Sequence, residues 1–256
     1  SFLGIIFIIS LFFGYINSIV SVQALINERN VFYRERHTKM YPVISYVLGA
    51  TMSEIPYVLL SSSLLYTIFY LLVGLNKSLY AYFSGLILYN LFILQATYVG
   101  HVLASSLSSV PLALLVSTFV TAFGVLFCGF MIAIKQIPVY FEFLVNFSPN
   151  YYLFNGFVST QLFCECKVDP NPVGEPTCDG LQACADVCDM DDPGCAIFFV
   201  PAGEGITIPI NVWQFIEEAF GFDHRPEKMM LALMLFSVFF VILNVLMLTF
   251  LVKAKR

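Results

Sequence analysis

Six cysteines stand close together in the second half of the chain: Cys164, Cys166, Cys178, Cys184, Cys188 and Cys195. Thiols this dense either pair as disulfides or hold a metal. An even set on a stretch rich in Pro, Gly and Asp reads as a disulfide framework in an oxidising compartment, and spacing alone does not choose the pairing. Zinc is the rival reading. Against it, the stretch has no His and no paired C-x2-C spacing. Asp186, Asp189, Asp191 and Asp192 in the same segment are either a calcium site or a solvated acidic loop. The seventh cysteine, Cys128, lies in an apolar run and reads as a small packing residue.

Few other groups have chemistry to offer. Glu54 is the one acid inside an apolar run. Counted inward from Val73, it falls near the inner edge of a ~30 Å hydrocarbon core. There it is either an ion-pair partner of a basic segment at 27–40 or a solvated interfacial acid. His101 reads as an interfacial or packed histidine. No G-x-x-x-x-G-K-[ST] occurs, so these residues carry no phosphate loop with which to hydrolyse ATP.

The elements that must position these groups are membrane spans. The chain has 256 residues and is 59% hydrophobic and 11% charged. A soluble domain is nearer 45–50% apolar and about 25% charged. Five runs are long and apolar enough to cross a bilayer: roughly 2–26, 43–73, 79–104, 112–134 and 229–252. The first lacks a basic leader and is followed by further spans, so it is not a signal peptide. The sequence opens inside an apolar run without Met, and more chain is expected upstream.

Short-loop basic residues stay on the cytoplasmic side. The stretch "NERNVFYRERHTKM" at 27–40 carries Arg29, Arg34, Arg36 and Lys39, and the tail carries Lys253, Lys255 and Arg256. Placing 27–40 in the cytoplasm also places the tail there. It puts 135–225, with its acidic cysteine-rich loop, outside. The chain thus divides into 1–134, four helices with a cytoplasmic loop at 27–40; 135–225, an outward segment; and 226–256, a last helix and tail. Within the outward segment, residues 139–160 are apolar but broken by Pro149. Neither half is long enough to cross, so they read as re-entrant or interfacial helices. Residues 212–222 read as a short amphipathic helix.

Two features of the spans suggest packing or passage. Ala113, Ser117 and Thr121, with Thr118, Ala122 and Gly124 beside them, form a ladder of small residues that lets helices approach closely. In the first span, Asn17 stands among Phe12, Phe13, Ile16 and Val20. It either lines a cavity for amphipathic molecules or is a bonded packing residue.

The stretch "ERNVFYRERHTKMYPVISYVLGATMSEIPYVL" closely resembles the G subfamily of ABC transporters, especially the pleiotropic-drug-resistance type. The likeness continues through "FCGFMIAIKQIPVYFEF" and "NVWQFIEEAFGF" and so covers nearly the whole chain. It implies an all-α membrane protein. The five spans would be helices two to six of a six-helix ABC-2 type transport domain, with a re-entrant segment and a disulfide-rich extracellular loop. Helix one and a nucleotide-binding domain would lie upstream. That domain would hold ATP and Mg, with no cofactor in this chain, so the chain would belong to an ATP-hydrolysing transporter without an ATPase site of its own.

The resemblance also assigns roles. Glu28, Arg29, Phe32, Arg34, Glu35 and Arg36, with Glu54, would couple to the nucleotide-binding domain. Phe13, Ile16, Asn17 and Val20 would face Thr118, Thr121, Ala122 and Val125 across a substrate cavity shared with a second transport domain. Phe130 and Met131 would form a hydrophobic valve at its outer end. Some half-size members have Phe at the position aligned with Ile16, and the cysteine-rich loop is longer than in plant-type members.

Expected partners are the upstream domain, the second transport domain and membrane lipids, not nucleic acid. The expected function is ATP-driven export of lipids or amphipathic xenobiotics by alternating access, in a multi-pass plasma-membrane protein. The alternatives are a channel or receptor subunit without ATPase coupling, or a membrane scaffold. A phosphate loop upstream decides for the transporter, and a scaffold would show no cavity between paired copies.

Overall fold

The structure is a computed structural model. It describes residues 2–37, 41–74, 78–107, 109–132, 134–162, 197–203, 206–211, 216, 220–222 and 225–254. The six clustered cysteines and the acidic run lie outside the described residues, as do the side chains of Phe13 and Arg36.

Seven α-helices are described: α1 (Phe2–His37), α2 (Val43–Val73), α3 (Leu79–Ser106), α4 (Val110–Leu126), α5 (Glu142–Phe147), α6 (Pro149–Gln161) and α7 (Pro226–Ala254). Two strands, β1 (Ile197–Gly203) and β2 (Ile206–Asn211), pair antiparallel with Ile197 opposite Asn211. The all-α expectation therefore needs a correction, because residues 197–203 and 206–211 pair as a hairpin. Its signal was the β-branched run Ile206-Thr207-Ile208 after Gly203 and Gly205.

Among the described residues, α2, α3 and α7 are long and apolar enough to cross a membrane. α2 has the bounds the hydropathy predicts. It ends where Gly74 adopts φ 67° and donates its N–H to the Tyr70 carbonyl, a left-handed cap open to glycine. α3 lies at the centre, with 67% of its apolar window buried, against 17% for α2 and 22% for α7. Its polar residues therefore sit inside protein rather than in lipid. Asn90 links α3 to α2: its Oδ1 accepts from Ser62, and its Nδ2 donates to Ser63 Oγ at 3.1 Å.

Two expected boundaries move. The first span and the segment after it are one helix: α1 runs 36 residues without a break, roughly 54 Å. A crossing needs about 20 residues, so residues 27–37 are a helical extension rather than a loop. The fourth span stops at Leu126 instead of Ile134. The helix cannot continue because Gly129 takes φ 88°. A Cβ there would also stand 2.8 Å from the ring of Phe222.

Residues 139–161 form two short helices that meet at Ser148–Pro149, where the sequence predicts the break. Every residue from Leu153 to Leu162 is buried. Ser148 Oγ donates to the Gly124 carbonyl at 2.8 Å, tying this elbow to the end of α4. Gln161 Nε2 donates to the Ala81 carbonyl at 3.0 Å. The aromatic core lies here: Tyr66 and Tyr89 pack on Phe157, and Phe154 packs on Phe222. Of the segment at 212–222, Ile216 and Phe222 are buried in this core.

Candidate functional site

α1 and α4 lie side by side along the small-residue ladder. Ala113 and Ser117 are the buried residues of α4, and Ser117 Oγ meets Ser18 Oγ at 3.1 Å inside the contact. Tyr15 Oη meets Thr118 Oγ1 at 3.1 Å at its edge. Small hydroxyl residues allow the close approach and then bond across it.

This seam brings much of the expected substrate surface together. Ile16 is 39% exposed and Val20 58% exposed on α1, and Thr118 and Ala122 are exposed on α4. Asn17, Thr121 and Val125 are half-buried. Thr121 turns its hydroxyl back to the Ser117 carbonyl at 2.8 Å. Behind α4, and bordered by the seam residues Tyr15 and Ser18, lies a cavity of about 460 Å³ between α1, α3, α4, the α5–α6 elbow and α7. Of the expected substrate residues whose side chains are described, only Thr121 lines it.

The two valve residues part company. Phe130 packs inward, 4.4 Å from the Phe7 ring and 5.4 Å from the Phe154 ring between centroids. Met131 is 58% exposed. Phe130 is thus part of this chain's own aromatic core, and only Met131 stands free to meet a partner.

The charged extension of α1 is tied to the rest of the fold by residues expected to face a partner. Arg29 donates to the carbonyls of Ala104, at 2.8 Å, and Leu107 at the end of α3. A guanidinium satisfies open carbonyls there and complements the negative end of the helix dipole. Phe32 is 1% exposed and stacks on Tyr46 at 4.2 Å, in a cluster with Val43, Val47 and Leu248. Glu35 accepts a hydrogen bond from Tyr41. That bond, with burial and the Glu35 charge, pushes the Tyr41 phenol up to about 12. Glu28 and Arg34 remain exposed.

Arg29→Met keeps the apolar stem and removes the donors. The expected loss in thermal unfolding of the full-length protein is about 1.5–3 kcal/mol, the range for hydrogen bonds to a charged group. Were Arg29 only a docking residue for another domain, unfolding would stay unchanged.

Glu54 does not reach the α1 extension among the described residues. Its Oε1 lies 3.4 Å from Nε2 of His101 on α3. His101 is 1% exposed and Glu54 32%. The expected ion pair with 27–40 is replaced by a contact between α2 and α3, which the α-helical register imposes. Tyr98, one turn before His101, also donates to the Thr51 carbonyl, one turn before Glu54, at 3.5 Å.

A helical membrane domain with a long charged helix end and a small-residue seam is the class these features define. The profile of the ABC-2 type transporter family matches residues 1–162, and the chain belongs to that family. Relatives include the Arabidopsis thaliana proteins "ABC transporter G family member 37", 34% identical over 68% of this chain, and "ABC transporter G family member 41", 33% identical over 63%. "Protein white" of Ceratitis capitata is 31% identical over 68%. The chain spans 12% of each Arabidopsis relative and 25% of the Ceratitis protein.

Proposed function

We propose that this chain is the membrane-crossing part of an ATP-driven exporter of lipids or amphipathic xenobiotics, of the pleiotropic-drug-resistance type, in the plasma membrane. Two transport domains face each other across the α1–α4 seam. A nucleotide-binding domain upstream, holding ATP and Mg, docks on the α1 extension from the cytoplasm, where the C-terminal tail also lies.

The observation that carries this reading is the unbroken α1. One rigid helix bears both the exposed cavity residues Ile16 and Val20 and the exposed charges Glu28 and Arg34. Force applied at the charged end tilts the whole rod. Arg29 and Phe32 link that end to α3, α2 and α7, so the bundle moves with it. ATP-driven closure then collapses the cavity and releases cargo outward past Met131, an apolar gate that excludes water.

ATP-dependent uptake of a fluorescent amphipathic dye into inside-out vesicles of the full-length protein tests this. Val20→Arg puts a charge on the cavity wall and is expected to abolish uptake while leaving ATP hydrolysis and assembly intact. ATP-independent ion conductance with unaffected dye uptake would replace the exporter with the channel reading.

Met131→Ala is expected to increase dye leak without a change in unfolding temperature. Phe130→Ala removes core contacts and is expected to cost about 3–5 kcal/mol. Equal leak from both, at equal stability, would restore Phe130 to the valve.

The cysteine-rich segment faces outward in this reading and is disulfide-bonded. An impermeant thiol reagent on intact cells should label it only after reduction. Labelling of all six cysteines beforehand would refute the disulfides.

A further inference from the structure

The cavity behind α4 adjoins the seam, sharing Tyr15, Ser18 and Thr121 with it, and its lining has an unusual feature. Gln95, on the central helix α3, is 3% exposed and lines the cavity. No group among the described residues hydrogen-bonds its amide, which opens onto the cavity, and a polar group facing an apolar space without a partner is costly. A second amide, Asn150, lines the same space from the α5–α6 elbow. It lies over the open face of Gly124, where a Cβ would meet its Nδ2 at 2.8 Å. Most of the remaining wall is apolar, including Phe92 and Phe240, and among the described residues no Asp, Glu, Lys or Arg lines it.

We infer that this cavity binds one neutral amphiphile: an apolar body among the aromatic rings, with a single hydroxyl or carbonyl bonded to the Gln95 amide. Three observations fix the class. The volume of about 460 Å³ falls in the roughly 300–1,000 Å³ range of small-molecule sites. A charged head has no counter-ion in the lining, and an unpaired buried charge is expensive. A pure hydrocarbon would leave Gln95 unpaired. Phe119 and Val120, at the rim on the apolar helix α4, are 69% and 47% exposed. The ligand therefore enters from the hydrocarbon phase. The site lies within one chain and needs neither ATP nor a second transport domain, so it fills while the export cycle is idle.

The test uses the full-length protein in lipid nanodiscs without ATP. The probe is a long-chain alcohol with a photoreactive diazirine on its tail, followed by peptide mapping. Labelling is expected on α3, α4 and the elbow. Gln95→Leu removes the polar partner and is expected to lower that labelling about tenfold, the loss of one hydrogen bond. Val120→Trp fills the cavity from its exposed rim, a position where folding is not at stake, and should abolish labelling. The same tail carrying a carboxylate should label weakly. Undiminished labelling in Val120→Trp, or equal labelling by the carboxylate probe, would overturn the assignment. Displacement of the alcohol by the transported dye, at concentrations that saturate transport, would overturn the separation of the two sites.

Discussion

Gly100→Leu is expected to yield no stably folded protein, and Gly100→Ala a protein weakened by about 1–3 kcal/mol, the usual cost of overpacking. Gly100 sits on α3 where α1 crosses it. A Cβ there would stand 2.8 Å from the Ser18 carbonyl oxygen, a backbone atom, and closer still to the Ser21 hydroxyl. A side chain can rotate away, but the carbonyl moves only if α1 moves. Shifting α1 breaks the Ser21 bond to the Thr97 carbonyl and the Ser18–Ser117 contact with α4. One methyl group therefore acts on three helices. Gly49 on α2 is the control, since nothing lies within 4 Å of a Cβ there. Gly49→Ala is expected to be neutral or to stabilise by up to about 1 kcal/mol, the helix-propensity gain. Thermal unfolding of the purified full-length protein reads all three. An unfolding temperature for Gly100→Leu equal to that of Gly49→Ala would show that the α1–α3 approach is not tight.

Glu54→Ala is expected to destabilise by about 1–3 kcal/mol, because it leaves the imidazole of His101 buried without its partner. Replacing both partners by apolar groups removes the orphan, so Glu54→Ala combined with His101→Leu should recover most of the loss. His101→Leu alone should cost less than Glu54→Ala, since Glu54 is one-third exposed and can be solvated. The double-mutant cycle isolates the coupling of the two residues. Additive losses would mean that the 3.4 Å contact contributes nothing, and would return Glu54 to a coupling role at the membrane edge.

The membrane class and the family were legible in the chain alone. An apolar run and a motif such as "EIPYVL" are local properties that need no knowledge of what packs where. The run over 43–73 has the same ends as α2, and Pro149 marks the α5–α6 break, because left-handed caps and prolines act on their own backbone. The small-residue ladder also named its buried members, Ala113 and Ser117, since only small side chains permit close helix contact. A break after Ile26 was expected where α1 continues, because charge marks where a helix leaves the membrane, not where it ends.

Which side of each helix faces inward was decided only by the tertiary structure. A soluble helix has a polar face that points outward. Here lipid and core are both apolar, so α2, α3 and α7 are hydrophobic all round and their periodicity holds no direction. Glu54 was assigned to the 27–40 segment and instead meets His101. Phe130 was placed at a valve and instead packs on Phe7 and Phe154. Gln95, one of two amides in a greasy helix, carries the same local signal as Asn17. Its place on a cavity wall follows from five separate elements converging around it, and such convergence is a property of the packed bundle rather than of any one segment.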